Sequence, residues 1–568
     1  MLRSGGRRRR AAMQVLVAFV LFGAVDYAYF GAPVLAHLGR ACACGNGSDP
    51  FDYMWFLAWW PHALLHGHNP FVTRALFAPG AVNLGAVDVV PGPAIVMAPV
   101  TLLFGPLVSY NVVALLAPVL AALFAFLLCR YLTGRFWPAV IGGYIYGFSP
   151  YLLGHLEGHL DLVLIFPVPA AVHLTLRHID GRISRRGFVV AMALVLAFTF
   201  LSSQELAATL VLLGALALLI AYGLAPSARP RIARTLPPLL LAGAVAAVLV
   251  SVFIYYALTG ELLNRFFNRY SDTLVADVLG FVIPTHVEAV GNGWFAGTAS
   301  KFVGGTAENG VYVGLPLLLV TALWAITRWR DAAARLLLVL LAAVAVLMLG
   351  SHLHVAGNER FSIGSHHTIP LPWLALSRLP FLHEIAPARL GVYMFLLVAV
   401  IAALWLARPR AGWRRAAGWA LAALGVAALV PDLGSGAWHS APENPRLFAT
   451  QAYRRVLAPG EITLALPFAQ DGDSMLWQAE TGFRWRLAEG YVGALLPASY
   501  VRALPPAPVG ADPVLPPDPN AIRAYIARRG IRAVVVADEQ APLWAPALAA
   551  AGLAGKPRDG AVIYAVRP

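Results

Sequence analysis

Asp49 and Asp52 sit at the head of the segment GSDPFDYMWFLAWWPHALLHGHNPF (47–71). A carboxylate just before an aromatic helix could deprotonate a hydroxyl at a membrane surface, acting as a general base. Asp49 could equally be a cap, since Asp is a preferred N-cap and Pro50 a preferred first helical residue. A second group is FSPYLLGHLEGHLD (148–161), with His155 and His159 four apart, Glu157 between them and Asp161 after. Residues four apart share a helix face. Phosphate or sugar contact, a metal, and plain interfacial histidines are the three readings. The metal reading is the thinnest, because H-x-E-x-H is not the H-E-x-x-H order of zinc proteases and no third ligand is fixed.

A third group is dispersed. Glu205 follows Ser202-Ser203-Gln204, and Arg378 and Arg389 lie in LPWLALSRLPFLHEIAPARLGVYMF (371–395). A guanidinium matches phosphate bidentately, so these arginines are candidate phosphate contacts. Snorkelling to the interface is the alternative. Lys301, in GTASKFVGGTAENG (297–310), is a weaker candidate of the same kind. Asp26 lies late in the first apolar run, where an ionisable residue is either functional or tied to a Ser, Thr or Tyr neighbour.

The elements that must position these residues follow from composition. Hydrophobic residues make up 59% of the 568 and charged residues 12%. Soluble domains run nearer 45–50% and about 25%, so one large soluble protein is excluded. A bilayer crossing needs about 20 mostly apolar residues. Eleven stretches qualify, near 11–30, 109–129, 136–150, 160–176, 188–204, 206–224, 236–257, 311–327, 335–351, 389–407 and 416–433. The Pro-rich 91–108 reads as re-entrant or interfacial. Of 42 basic residues 40 are Arg, and 21 of those fall, with only Asp180 and Asp331, before the first stretch or in alternate short loops. The positive-inside rule then makes the N-terminus cytoplasmic and the long loops 31–108, 258–310 and 352–388 external. The net charge of +14 is therefore a topology signal and not a nucleic-acid footprint. Asp26-Tyr-Ala-Tyr-Phe follows the first apolar run where a signal-peptide cleavage site would need small residues, so an uncleaved anchor is expected. Cys42, Cys44 and Cys129 form no disulfide framework, and Cys42 and Cys44 stand too close for an easy bridge.

From about residue 434 the pattern changes. EITLALPF (461–468), IRAVVVAD (531–538) and AVIYAVR (561–567) read as strands. PNAIRAYIARRG (519–530) reads as a helix between Pro and Gly. The Pro-rich 505–519 reads as a loop. The expected fold is thus a polytopic α-helical membrane protein of about 11 transmembrane helices. Residues 1–433 form its membrane domain, and 434–568 a small α/β domain outside the membrane.

The segments 47–71, 148–161 and 369–390, with a large outer loop after one inside-to-outside span, resemble the C-type superfold of integral-membrane glycosyltransferases. More closely, they resemble a group of bacterial multi-span proteins within it. The resemblance covers most of 1–433. It implies an enzyme of the bacterial inner membrane moving a sugar, hexose or pentose, from a polyprenyl-phosphate donor to an envelope glycan, lipid or protein acceptor. Asp49 becomes the catalytic carboxylate, with Asp52, or Asp88 late in the same loop, as a second acid. His155, Glu157, His159, Glu205, Arg378 and Arg389 become substrate contacts. The resemblance implies no cofactor, and a divalent metal stays an alternative. The absence of a Gly-rich phosphate loop agrees with a lipid-linked donor. A flippase of lipid-linked sugars is a rival, but the sequence lacks visible paired repeats. A non-catalytic glycan-binding membrane protein is another.

Overall fold

The computed structural model describes residues 2–87, 89–259, 264–265, 273–361, 367–379, 382–409, 411–493, 495–496 and 518–566. Asp88 and most of the Pro-rich 505–519 lie outside them. The chain is mostly helical and divides into two compact units. The first comprises Met1–Ala32, Ala114–Leu249 and Asn268–Trp438, the second Pro33–Val113, Val250–Phe267 and His439–Pro568. Most of the first long loop, within Pro33–Val113, groups with His439–Pro568.

Seven described helical stretches are long and apolar enough to cross a bilayer. They are Arg9–Leu35, Pro106–Thr133, Leu160–Ile179, Arg185–Ser202, Gln204–Leu224, Pro226–Leu249 and Pro387–Leu406. Other expected spans form shorter helices, among them Leu315–Arg328 and Ala332–Met348. Helix ends carry local signals. Ser184 and Ser203 accept from Gly187 N–H and Leu206 N–H, which closes the entry of two spans.

Within the first unit, the helix Phe136–Gly147 packs along Gly391–Leu406. Glycine also lets the same helix lie close against residues 118–129 of Pro106–Thr133. A Cβ on Gly142 would stand 2.6 Å from Cys129 Sγ, and one on Gly147 would stand 2.4 Å from the Ala122 Cβ. Small residues let membrane helices approach, since burial from water does not drive their association. Gly147→Val should therefore block assembly of this bundle, because the obstacle includes the Ala122 and Pro118 backbone. The expected result is loss of most monodisperse protein on size-exclusion chromatography, with Gly214→Val, in open space, unaffected.

The second unit is built around a sheet of β1 (Ile462–Leu466), β2 (Arg486–Leu487), β3 (Ala533–Ala537), β4 (Gly555–Arg558) and β5 (Ala561–Ala565). The order is β2-β1-β3-β5-β4, parallel across the first three strands and antiparallel beyond. β1 and β3 are buried along their whole length, which is why they read as continuous apolar runs. Glu489 lies wholly inside this unit, accepting from Ala469 N–H at 2.7 Å and paired with Ser474 Oγ at 3.2 Å. Burial pushes its carboxyl up to about 8. An acid raised on folding costs stability progressively as pH rises from its unfolded value to its folded one. Glu489→Gln should therefore raise the melting temperature above pH 8 and change it little below pH 5, as a pH series of thermal melts would check.

Cys42 and Cys44 form a disulfide, with Cα atoms 5.2 Å apart, which corrects the expectation that they stand too close. The local backbone explains it. Cys42 exchanges both backbone hydrogen bonds with Ser440, while Asn111 Oδ1 takes the Ala43 N–H at 2.7 Å and Asn111 Nδ2 donates to Leu38 and Ala41 carbonyls. The intervening residue is held by its neighbours, and the two side chains are left to meet. Cys129 is free and buried.

Candidate functional site

In the first unit the chemistry gathers at Arg389. This residue lies in the short turn Pro387–Leu390 that leads into the helix Gly391–Leu406. Its Nη1 donates to Glu205 Oε2 at 2.5 Å and its Nη2 to Glu308 Oε1 at 3.2 Å. Glu205 is in the first turn of Gln204–Leu224, and its second oxygen accepts Ala386 N–H at 2.9 Å. Glu308 is buried, which alone would raise its carboxyl. The Arg389 guanidinium, and after it His155 and His159, outweigh burial and hold it down to about 2. Two carboxylates thus engage one guanidinium. A phosphate reaching Arg389 would have to share it with them or displace one.

His155 ends the helix Pro150–His155, which Ser149 caps. It is fully buried, and its Nδ1 lies 2.7 Å from the Tyr151 carbonyl, so Nδ1 carries the proton and donates. Nε2 has no hydrogen-bond partner among the described residues. Burial, with His159 nearby, pushes the ring down to about 3, so it is neutral at physiological pH and presents a lone pair. The regular helix stops at His155, and residues 156–158 turn, but His159 N–H still donates to the His155 carbonyl at 2.8 Å. Their rings still lie 5.5 Å apart. Burial raises Glu157 to about 7. A close approach brings in Glu308: a Cβ on Gly154 would meet Ala307 Cα at 2.9 Å, and one on Gly310 would meet the Pro150 carbonyl oxygen at 2.4 Å. The glycines let the 148–161 segment lie against the Glu308 segment.

Arg378 and Lys301 are exposed and are not among the partners of this group. Asp26 is buried in the first span, with Oδ1 lacking a hydrogen-bond partner among the described residues. Among the described residues, no three or more His, Cys, Asp or Glu side chains are arranged to hold a metal.

In the second unit the acids sit on the helix Asp49–Leu65. Ser48 takes the cap position and Asp49 the first helical place, one residue later than capping by Asp49 would require. Asp49 Oδ1 instead accepts the Tyr491 hydroxyl at 2.6 Å. Asp52, one turn on, is buried. This helix does not lie with one face open, as an interfacial helix would. It is apolar all round and buried on nearly every side, packed against Pro91–Phe104 and Ser474–Glu480. Trp55 donates to Gln478 Oε1 at 2.6 Å, and Gln478 Nε2 donates to the Ala75 and Trp485 carbonyls. These bonds fix the helix that carries Asp49. Tyr491, Gln478 and Glu308 escaped the sequence reading. Glu308 left one trace, as an acid in the glycine-flanked run GGTAENG.

Solved structures place this architecture. The arabinofuranosyltransferase AftD from Mycobacteria matches with TM-score 0.59 at 14% identity, over 99% of this chain and 40% of that one. ArnT from Cupriavidus metallidurans, bound to undecaprenyl phosphate, matches with TM-score 0.49 at 13% identity over 97% of each chain. The archaeal oligosaccharyltransferase AglB from Archaeoglobus fulgidus, in complex with an inhibitory peptide and a dolichol-phosphate, matches with TM-score 0.46 at 13% identity, over 97% of this chain and 74% of that one. The fold is that of the C-type glycosyltransferases. The protein spans about two fifths of the length of AftD. Residues 15–430 match one family model, so the chain belongs to the family described as Domain of unknown function (DUF6311). No curated protein matches it.

Proposed function

We propose that the protein is a glycosyltransferase that moves a sugar from a polyprenyl-phosphate donor to an envelope glycan, lipid or protein acceptor. The observation that carries this reading is Asp49. In a chain with the C-type glycosyltransferase fold, it opens a helix held rigid by buried aromatics, and a tyrosine hydroxyl orients its carboxylate. Asp49 takes the proton of the acceptor hydroxyl as that oxygen attacks the anomeric carbon. The bond from that carbon to the phosphate oxygen breaks, and polyprenyl phosphate leaves with the electron pair.

Donor phosphate contact is assigned to Arg389 and to His155, whose Nε2 can accept from a sugar hydroxyl or a phosphate proton. His159, Glu157, Glu205 and Arg378 are proposed to line the substrate path, and Asp52 to support Asp49. The short apolar helices are proposed to complete about eleven spans of a bacterial inner membrane. The N-terminus would be cytoplasmic and residues 434–568 outside. No cofactor is assigned.

The test is turnover. Full-length protein in nanodiscs, given total lipid extract and envelope acceptors, should release free polyprenyl phosphate, measured by mass spectrometry. Binding of lipid-linked sugar without release would favour the flippase or the non-catalytic reading.

A further inference from the structure

A cavity of about 420 Å³ opens in the first unit, at the opposite end of Gly391–Leu406 from Arg389. It is bounded by the start of Phe136–Gly147, the end of Gly391–Leu406 and the first turns of Trp413–Ala428. Three guanidinium groups line it, those of Arg135, Arg408 and Arg415, with Phe136, Trp137 and Trp419. Its lining contains no carboxylate among the described residues. Arg408 stands over the Trp324 ring at 5.0 Å, which holds it in place. Arg135 is extended at the cap position of Phe136–Gly147, with its N–H on Thr133 Oγ1 at 3.1 Å. That helix start adds its own partial positive charge.

Such a lining calls for an anion, and guanidinium groups favour phosphate oxygens. The surroundings say which anion. Trp137 and Trp413 are 60% and 76% exposed, and Leu132 is also exposed. Exposed tryptophans beside apolar residues mark the boundary between hydrocarbon and water. Arg135, Arg408 and Arg415, which meet here, all come from the short basic segments that the charge pattern assigns to the cytoplasm. Basic pockets between transmembrane helices on that side bind anionic headgroups. We propose that this cavity seats the phosphate headgroup of an anionic phospholipid of the inner leaflet, with its acyl chains along the exposed apolar residues. The site lies outside the proposed transfer chemistry and stands or falls independently of it.

The test uses purified full-length protein in a neutral detergent, with phosphatidylglycerol added and retained lipid counted by native mass spectrometry. Each basic side chain near an anionic headgroup contributes about fivefold in affinity. The Arg135→Gln/Arg408→Gln/Arg415→Gln variant should bind about a hundredfold more weakly than wild type. Arg185→Gln/Arg186→Gln/Arg234→Gln removes the same charge from other short basic loops and should bind as wild type does. The Arg→Lys triple at the cavity should fall between. It carries the test if the Gln triple fails to fold, and binding equal to wild type would then overturn the proposal. Equal loss in both Gln triples, or loss in neither, would overturn it as well. Displacement of the lipid by an equal concentration of inorganic phosphate would show a free-phosphate site and overturn the lipid assignment.

Discussion

Asp49→Asn is expected to lower sugar transfer by about 10²–10⁴-fold, the usual contribution of a general base. Asn keeps the shape and can still accept the Tyr491 hydroxyl, so the helix should hold. It cannot take a proton from the acceptor. Protein amount and melting temperature should therefore stay near wild type while turnover collapses. Tyr491→Phe separates orientation from chemistry. It removes the 2.6 Å hydrogen bond but leaves the carboxylate, so a much smaller loss is expected. If Asp49 merely anchored Tyr491, Asp49→Asn would keep turnover near wild type and Tyr491→Phe would lose the more of the two. Single-turnover rates for both settle this.

Arg389→Met is expected to destabilise the first unit by about 3–5 kcal/mol, the usual cost of stripping one partner from a buried ion pair. Glu205 and Glu308 would then face each other with no cation between them. Adding Glu308→Gln and Glu205→Gln should restore most of the loss. A triple variant as unstable as the single one would contradict the ion-pair account. The pH dependence follows from Glu308, whose carboxyl sits near 2 in the fold. A group lowered on folding contributes fully above its unfolded value near 4.5, and the contribution disappears as pH falls toward the folded value. Wild type should thus lose stability between about pH 4.5 and 2. Arg389→Met should lack that part of the acid dependence, as chemical denaturation at stepped pH would show. Such a tightly neutralised arginine also bears on the proposed phosphate contact. A phosphate would compete with two carboxylates already in place, so Glu308→Gln should tighten donor binding.

Seven membrane-length helices were legible because hydropathy is a local property. The runs EITLALPF, IRAVVVAD and AVIYAVR coincide with strands for the same reason: each is apolar over its own length. What depended on distant partners was not legible. Tyr491 meets Asp49 across 442 residues, and nothing in the surrounding EGYVG announces it. In the 297–310 loop the sequence drew attention to Lys301 for its charge, but the structure leaves it exposed and buries Glu308. The aromatic helix shows the same limit. Its tryptophans suit an interface or a core equally well, and only the packing of Ser474–Glu480 and Pro91–Phe104 around it decides for the core. Cys42 and Cys44 were misjudged because spacing alone ignores how Ser440 holds the Cys42 backbone and Asn111 holds Ala43 between them.

The central claim is that this chain consumes a lipid-linked sugar through Asp49. The most direct measurement is a lipid analysis of cells lacking the protein, complemented with wild type, with Asp49→Asn, or with nothing. The account predicts that one polyprenyl-phosphate sugar accumulates equally in the uncomplemented strain and with the Asn variant, at normal protein level, and that wild type clears it. An Asn variant that clears the lipid as wild type does would contradict the account and reduce Asp49 to a partner of Tyr491.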